Sequence, residues 1–87
     1  MANDGNASAV RAGNTLGIVF WKPGRVAGVQ SDAPAVVYVN GNDVYAADPT
    51  NGIGTFTLTV GTRTIVVPRN GGRTFHASLA ARRRAIR

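Results

Sequence analysis

Few side chains in this sequence are of the types that carry out proton transfer or nucleophilic attack. Its 87 residues include one His and four Asp, with no Cys and no Glu. Nucleophilic catalysis needs a nucleophile, a base and a group that orients the base, and His76 is the single candidate base. Ser78 shares a face with His76 on a strand but points away from it on a helix. We interpret His76 as a surface histidine and predict that the protein is not an enzyme.

The carboxylates show no spacing typical of acid–base pairs or of metal sites. All four lie in turns or near a terminus, where Asp commonly bonds to its own backbone: Asp4, Asp32, Asp43 and Asp48. The absence of Cys excludes disulfides and thiolate metal sites. No phosphate-binding loop, dinucleotide-binding fingerprint or Cys/His ligand spacing occurs. The sequence therefore predicts neither a metal nor a cofactor.

Basic residues are the most concentrated chemical feature of the chain. Ten Lys and Arg against four Asp give a formal net charge of +6 at pH 7, which favours polyanionic partners. Four of the arginines fall at the C-terminal end: Arg82, Arg83, Arg84 and Arg87. They suit phosphate groups or the carboxylates of an acidic protein surface, and a solvated tail without a partner is the alternative. Together with Arg69 and Arg73 they form the predicted polyanion-binding or partner-binding set.

Three aromatic residues are candidates for an interface. Trp21 lies next to Lys22 and Arg25, so it is suited to stack on bases beside phosphate-binding groups. The alternative, favoured by burial statistics, is that this Trp is the largest residue of the core. Tyr38 and Tyr45 are the other two candidates, for base stacking or for contact with another subunit.

The stretch 55–67 predicts the hairpin around which the fold is organised. Phe56, Leu58 and Val60 alternate with Thr, which is the period of a strand with one buried face. A following Gly-Thr pair suits the central positions of a type II′ turn. This turn fixes the following register: Phe56 with Val67, Thr57 with Val66, Leu58 with Ile65, Thr59 with Thr64, and Val60 with Arg63.

Further strands are predicted over 15–21, 35–39 and 44–47, with a weak one over 25–30. Both faces of 15–21 carry apolar residues, so we expect one in the core and the other against a partner or a flap. Two registers are open at the Asn-Gly turn that begins at residue 40: a two-residue loop pairs Val37 with Val44, and a four-residue loop pairs Tyr38 with Tyr45. Short strands between turn signals predict an all-β, mainly antiparallel domain, namely a meander, sandwich or partly open barrel of about five or six strands.

The two ends of the chain differ in composition from the β domain, which is predicted over 15–73. Residues 1–14 contain Gly and Asn throughout and bury too little to become ordered alone. We predict a flexible N-terminal arm there, either frayed or ordered against a neighbouring subunit. Residues 74–87 are predicted to be a basic C-terminal helix or a partly ordered tail, because Ala and Arg favour helix. The alternation of Phe75 and Ala77 with His76 leaves a strand open as well.

Together these features predict a non-catalytic structural subunit of a large symmetric assembly, in particular a small virion protein such as a phage capsid decoration or tail component. A chain of this length without disulfides is marginally stable alone, so we expect a homo-oligomer or a part of a hetero-assembly with other protein subunits. The alternative is a β-barrel nucleic-acid-binding module that places its basic C-terminus on phosphates. A third possibility is an accessory domain that binds sugar or protein.

The expected location of the protein rests on two kinds of segment that the sequence does not show. No apolar run approaches the ~18 residues that a membrane-spanning helix needs, and no secretory signal is visible. We therefore expect a protein of the virion, assembled in the host cytoplasm, or else a cytoplasmic protein, with no membrane partner.

Overall fold

The computed structural model describes residues 2–3 and 5–80, which form two packed antiparallel sheets. The strands are β1 (Ala2–Asn3), β2 (Ala7–Ala12), β3 (Thr15–Phe20), β4 (Gly24–Val26), β5 (Val29–Ser31), β6 (Ala35–Asn40), β7 (Asp43–Ala47), β8 (Thr55–Val60), β9 (Arg63–Pro68) and β10 (Phe75–Ser78). A short 3₁₀ turn, Asn70–Gly72, lies between β9 and β10. The prediction of an all-β, antiparallel domain is confirmed, and among the three architectures left open the chain adopts the sandwich.

The chain alternates between the two sheets in a repeated pattern. One sheet has the order β1-β2-β3-β6-β7-β10 and the other the order β4-β5-β8-β9. After β3 the chain forms the hairpin β4–β5 in the second sheet and returns as β6 beside β3. After β7 it forms the hairpin β8–β9 in the second sheet and returns as β10 beside β7. The described strands outnumber the five or six expected. The additional strands include β1, β4, β5 and β10, which have only two to four residues each and are too short to show a clear period-2 alternation in the sequence.

The core lies between the sheets and takes alternate residues from each strand, as the pleat requires. Phe20, Ile18 and Leu58 are the largest fully buried apolar side chains. The other buried apolar residues of the cluster are Ala7, Ala9, Leu16, Val26, Val29, Ala33, Ala35, Val37, Val44, Ala46, Phe56 and Val67. Small and large residues from the two sheets thus share one continuous interior.

The hairpin β8–β9 has the predicted register at every pair. Phe56 lies opposite Val67, Leu58 opposite Ile65 and Val60 opposite Arg63, with the Thr pairs between them. Gly61 has a φ of 60°, and Thr62 is not among the residues with positive φ, as a type II′ turn requires. Alternation and turn chemistry agree here, so the local sequence determines the structure.

The turn between β6 and β7 resolves the two registers that the sequence left open. Tyr38 lies opposite Tyr45, Val39 opposite Val44 and Asn40 opposite Asp43. Of the two predicted registers, the one with Tyr38 opposite Tyr45 is confirmed, but the loop is shorter than the four residues predicted with it, because Asn40 pairs with Asp43 and leaves only Gly41 and Asn42 at the centre of the turn. Gly41 supplies the positive φ of 59° at the first central position.

Residues 7–12, predicted to be part of a flexible arm, form β2 instead. This strand pairs along its whole length with β3, and Ala7 and Ala9 are fully buried. The prediction counted only large apolar groups. Small side chains fill the space beside Ile18 and Phe20, because close packing places alanines where larger neighbours leave little room.

The beginning of the predicted C-terminal helix is also a strand. Phe75–Ser78 forms β10, which pairs with β7, so the alternation of its residues outweighs the helix propensity of the Ala and Arg that follow. The chain then runs to Leu79, whose N–H donates to the carbonyl of Asn42 at 2.6 Å. The arginines predicted to bind polyanions at 82–84 and 87 lie outside the described residues.

Candidate binding face on the six-stranded sheet

The outer face of the six-stranded sheet carries three parallel rows of side chains, defined by the strand registers. The middle row, here called the aromatic row, consists of Val10, Gly17, Tyr38, Tyr45 and His76. On one side lies an apolar row of Ser8, Val19, Val36 and Ala47. On the other side lies a polar row of Thr15, Asn40, Asp43 and Ser78. Since neighbouring strands are about 4.8 Å apart, the aromatic row extends about 19 Å across five strands.

Tyr38 occupies the centre of the aromatic row, where its ring lies over Gly17. A Cβ atom added at Gly17 would be 3.5 Å from Cε1 and 3.6 Å from Cδ1 of Tyr38. The Tyr38 ring therefore leans towards β3 over the place where other residues carry a side chain. The side chain remains 51% exposed, so an edge of the ring lies against the sheet while about half of the side chain meets solvent.

Tyr45, the cross-strand neighbour of Tyr38, instead leans towards β10. Its ring stacks on the His76 ring with centroids 4.8 Å apart and an interplanar angle of 26°. Nε2 of His76 donates to Oδ1 of Asp43 at 2.9 Å, with both side chains 51% exposed. The carboxylate thus fixes the imidazole, and the imidazole supports one face of the Tyr45 ring. Sequence reasoning interpreted His76 as a surface histidine and Asp43 as a turn residue, because the two are 33 positions apart and only the β7–β10 register brings them together.

Trp21 is not part of the core, contrary to the burial statistics that favoured it there. It follows the last residue of β3, is 48% exposed, and its Nε1–H donates to the carbonyl of Gly5 at 3.2 Å. By alternation it continues the side of the sheet on which Val19 lies. Val10 and Val19 are also about half exposed. All three predicted interface aromatics, Trp21, Tyr38 and Tyr45, are therefore accessible to a ligand, and their role remains a prediction.

The outer face of the four-stranded sheet is chemically different. Strand β8 presents alternating Thr side chains, paired across to Gln30 of β5 and to Thr64 and Val66 of β9. Val66 is the large apolar residue exposed there, at 61%. The aromatic and apolar rows thus lie on one sheet only, which makes that sheet the candidate binding face.

Arg69, predicted to bind polyanions, is engaged within the chain. Its guanidinium lies 5.2 Å from the centroid of the Phe56 ring, and Nη1 is 3.6 Å from Oδ1 of Asp48. Its side chain is mostly buried, so it has little surface left for a phosphate. Arg73 is exposed in the loop before β10. The structure therefore does not join the described members of the predicted arginine set into one exposed surface.

Asp48 organises the loop between β7 and β8. Its fully buried carboxylate accepts hydrogen bonds from the hydroxyl of Thr50 at 2.6 Å, the N–H of Thr50 at 3.0 Å and the N–H of Gly52 at 2.7 Å. These bonds, led by the Thr50 hydroxyl and helped by the Arg69 charge, lower the pKa of Asp48 to about 2 although burial acts to raise it. The interpretation of Asp48 as a turn residue is correct, and its task is structural.

The arrangement on the six-stranded sheet suits binding by stacking. Rigid aromatic rings offer a large contact area at low cost in conformational entropy, and polar groups beside them add orientation. Among residues 2–3 and 5–80 no group of three or more His or Asp side chains that could hold a metal ion is found. No helix in the same residues is long and apolar enough to cross a membrane.

Comparison with known proteins gives one match. A family model described as polysaccharide lyase family 8, C-terminal beta-sandwich domain, matches residues 1–57, about two thirds of the chain and all of β1 to β7. No curated protein and no solved structure matches the chain.

This match overturns one prediction. The expectation that the protein is not an enzyme is wrong, because the matched family is a domain of polysaccharide lyases. The sequence did not indicate this connection, since the matched part is the β-sandwich of such enzymes, in which no catalytic motif needs to appear. The predictions of a virion subunit, a nucleic-acid-binding module, an oligomeric state and a location are not tested by the match.

Proposed function

This chain belongs to the polysaccharide lyase family 8 C-terminal β-sandwich domains, and on that premise we propose that it is an accessory domain of such an enzyme that binds polysaccharide. The binding surface is the aromatic row on the six-stranded sheet. The observation that carries the proposal is the pair of exposed tyrosines, Tyr38 and Tyr45, which lie directly opposite each other on adjacent strands, with Tyr38 over Gly17 and Tyr45 stacked on His76.

The physical basis is the shape of a sugar ring. Its C–H groups form an apolar face that packs on an aromatic ring, and its hydroxyls point outwards at the edges. A row of aromatic groups with a polar row beside it offers both kinds of contact at once. Tyr38 and Tyr45 lie on adjacent strands and lean in opposite directions, so a linear chain that lies across the strands contacts both rings.

Nucleic acid is the alternative ligand, since bases also stack on aromatic side chains. The net charge of +6 draws any polyanion towards this protein, so retention by a polyanion alone is weak support. The two ligands differ in salt dependence. Binding to phosphates weakens steeply as salt rises, whereas stacking on a neutral sugar ring does not involve counterion release. The assembly prediction has no observation in the structure that favours it.

The test is affinity electrophoresis of the 87-residue chain in gels that contain hydroxyethyl cellulose, galactomannan or polygalacturonate, with single-stranded DNA as the competing ligand in solution. We expect retardation by at least one polysaccharide that persists in 1 M salt, where the Debye length is about 3 Å. The double variant Tyr38→Ala/Tyr45→Ala should lower the affinity about 30-fold, if each ring contributes about 1 kcal/mol.

The matched control is Val66→Ala, which removes an exposed apolar side chain from the other sheet and should leave binding unchanged. Thermal unfolding of each variant checks that it is folded. The proposal is wrong if no polysaccharide retards the protein, or if the double tyrosine variant is retarded as strongly as the wild type. Binding to DNA that exceeds polysaccharide binding and disappears in 1 M salt would support the nucleic-acid alternative instead.

A further inference from the structure

We infer that Asp43, held in position by His76, determines which sugar the binding face accepts, by hydrogen bonding to the hydroxyls of the ring that packs against Tyr45. This inference rests on the proposed function, because it assigns specificity within the same surface. It concerns a hydrogen-bonded pair and not the aromatic groups that supply the contact area.

The position of the pair suits this role. His76 covers one face of the Tyr45 ring, which leaves the opposite face for a ligand. Asp43 lies two residues before Tyr45 on the same side of β7, about 7 Å along the strand. A sugar ring packed against Tyr45 therefore has one edge directed at Asp43 and its neighbour in the polar row, Asn40.

Among the described residues, the hydrogen-bonding capacity of the Asp43 carboxylate is only partly used. Oδ1 of Asp43 accepts from Nε2 of His76, and among the described residues no protein donor reaches the second carboxylate oxygen. The Asp43 side chain is half exposed, so its carboxylate can exchange water for sugar hydroxyls without being uncovered first.

The two edges of a bound ring would meet different chemistry. On one side of the aromatic row lie Asp43 and Asn40, and on the other side lie Val19 and Val36. Asn40 is itself held in place, because its Nδ2 donates to Oγ1 of Thr15 at 3.1 Å. A hydroxyl that turns towards the polar row gains a partner, whereas the same hydroxyl turned towards the valines loses its water and gains none. Such asymmetry discriminates between sugars that differ in the configuration of one hydroxyl.

The experiment uses titration calorimetry of the 87-residue chain with two probes, cellohexaose and mannohexaose, which differ in the configuration of one hydroxyl in each ring. His76→Phe keeps an aromatic ring on Tyr45 and removes the nitrogens, and Asp43→Ala removes the carboxylate. Each substitution should weaken binding of the preferred hexasaccharide about 3- to 10-fold, the value of one or two hydrogen bonds. Each should also shrink the preference between the two probes.

Two controls make the result specific. Tyr45→Ala should weaken binding of both probes by a similar factor and so leave the preference largely intact. Val66→Ala should change neither. Thermal unfolding of every variant confirms that it is folded, and His76→Phe serves as the milder variant if Asp43→Ala is unstable.

The inference is overturned if the wild type binds polysaccharide but does not distinguish the two hexasaccharides or binds neither. It is also overturned if His76→Phe and Asp43→Ala retain both the affinity and the preference while Tyr45→Ala loses affinity. Failure of the wild type to bind any polysaccharide overturns the proposed function, and this inference with it.

Discussion

Gly17 offers the most informative perturbation of the binding face, because the Tyr38 ring lies where a side chain larger than a methyl group would extend from this position. Its φ is not in the positive range, so no conformation special to glycine is used there. A Cβ at this position would touch Cε1 of Tyr38 at 3.5 Å and the carbonyl of Val10 at 3.8 Å, both ordinary contact distances. Gly17→Ala therefore fits without moving its neighbours.

The magnitude for Gly17→Ala follows from backbone entropy. Glycine within a strand costs about 0.5–1 kcal/mol relative to alanine, so the variant should be more stable by that amount. For a domain of this size the melting temperature should rise by about 2–8 °C. Gly61→Ala is the matched control, because the φ of 60° at Gly61 disfavours any side chain, and it should lower stability by about 1 kcal/mol.

Gly17→Val separates stability from binding. Its two methyl groups extend about 1.5 Å beyond Cβ, and at least one of them enters the space of the Tyr38 ring. We expect the ring to swing into solvent, with stability within about 1 kcal/mol of the wild type, since valine favours strands. Affinity for polysaccharide should fall as much as in Tyr38→Ala. Circular dichroism melting and affinity electrophoresis measure the two effects. A lower melting temperature for Gly17→Ala, or full binding by Gly17→Val, would refute this account of the Tyr38 position.

Three further predictions concern stability. The pKa of Asp48 is lowered to about 2 from its ordinary value of 3.8, so the stability that its carboxylate contributes should be complete above about pH 4 and lost as the pH falls towards 2. In urea titrations Asp48→Asn should therefore be less stable than the wild type at pH 7. The difference in unfolding free energy between the two proteins should become smaller at acid pH. Leu58→Ala removes a fully buried side chain and should cost about 2–5 kcal/mol in the same titrations, a smaller loss meaning that the core collapses around the gap. At Gly72 the φ is 87° and an added Cβ would lie 2.5 Å from Oδ1 of Asn51, so Gly72→Ala should destabilise by about 1–2 kcal/mol; an unchanged melting temperature would show that the 48–54 loop yields easily.

Local sequence predicted the parts of the fold where alternation and turn chemistry agree. The β8–β9 hairpin is the clearest case, since Phe56 and Leu58 must both face the core and Gly61 permits the turn between the strands. Where the two signals were weaker, the tertiary structure decided. Both registers left open near Gly41 keep Val37 and Val44 on the core side, so alternation could not choose between them, and the structure has Tyr38 opposite Tyr45. Strand β2 is buried through alanines that carry almost no signal of their own.

The candidate site was predictable only in part, for a physical reason. Tyr38 and Tyr45 could be named as interface candidates, but whether they lie opposite each other depended on a register that the sequence left open. His76 and Asp43 become a pair only when β10 adds to the edge of β7, and the local composition after residue 78 favoured a helix. Trp21 was misplaced because size alone does not bury a residue that lies just beyond the end of its strand.

The repeated path of the chain has a consequence for how the domain folds. Each excursion into the second sheet must close a loop before its returning strand can pair, and the second excursion, from β7 to β10, is about twice as long as the first, from β3 to β6. A doubling of loop length adds only about 0.6 kcal/mol to the free-energy cost of closing the loop. The two loops are therefore similarly costly to close, and neither closure is strongly favoured to occur first. Tyr38 belongs to the returning strand of the first half, and Tyr45 and His76 to the second. The aromatic row therefore exists only after both loops have closed, and a half-folded chain presents no complete row.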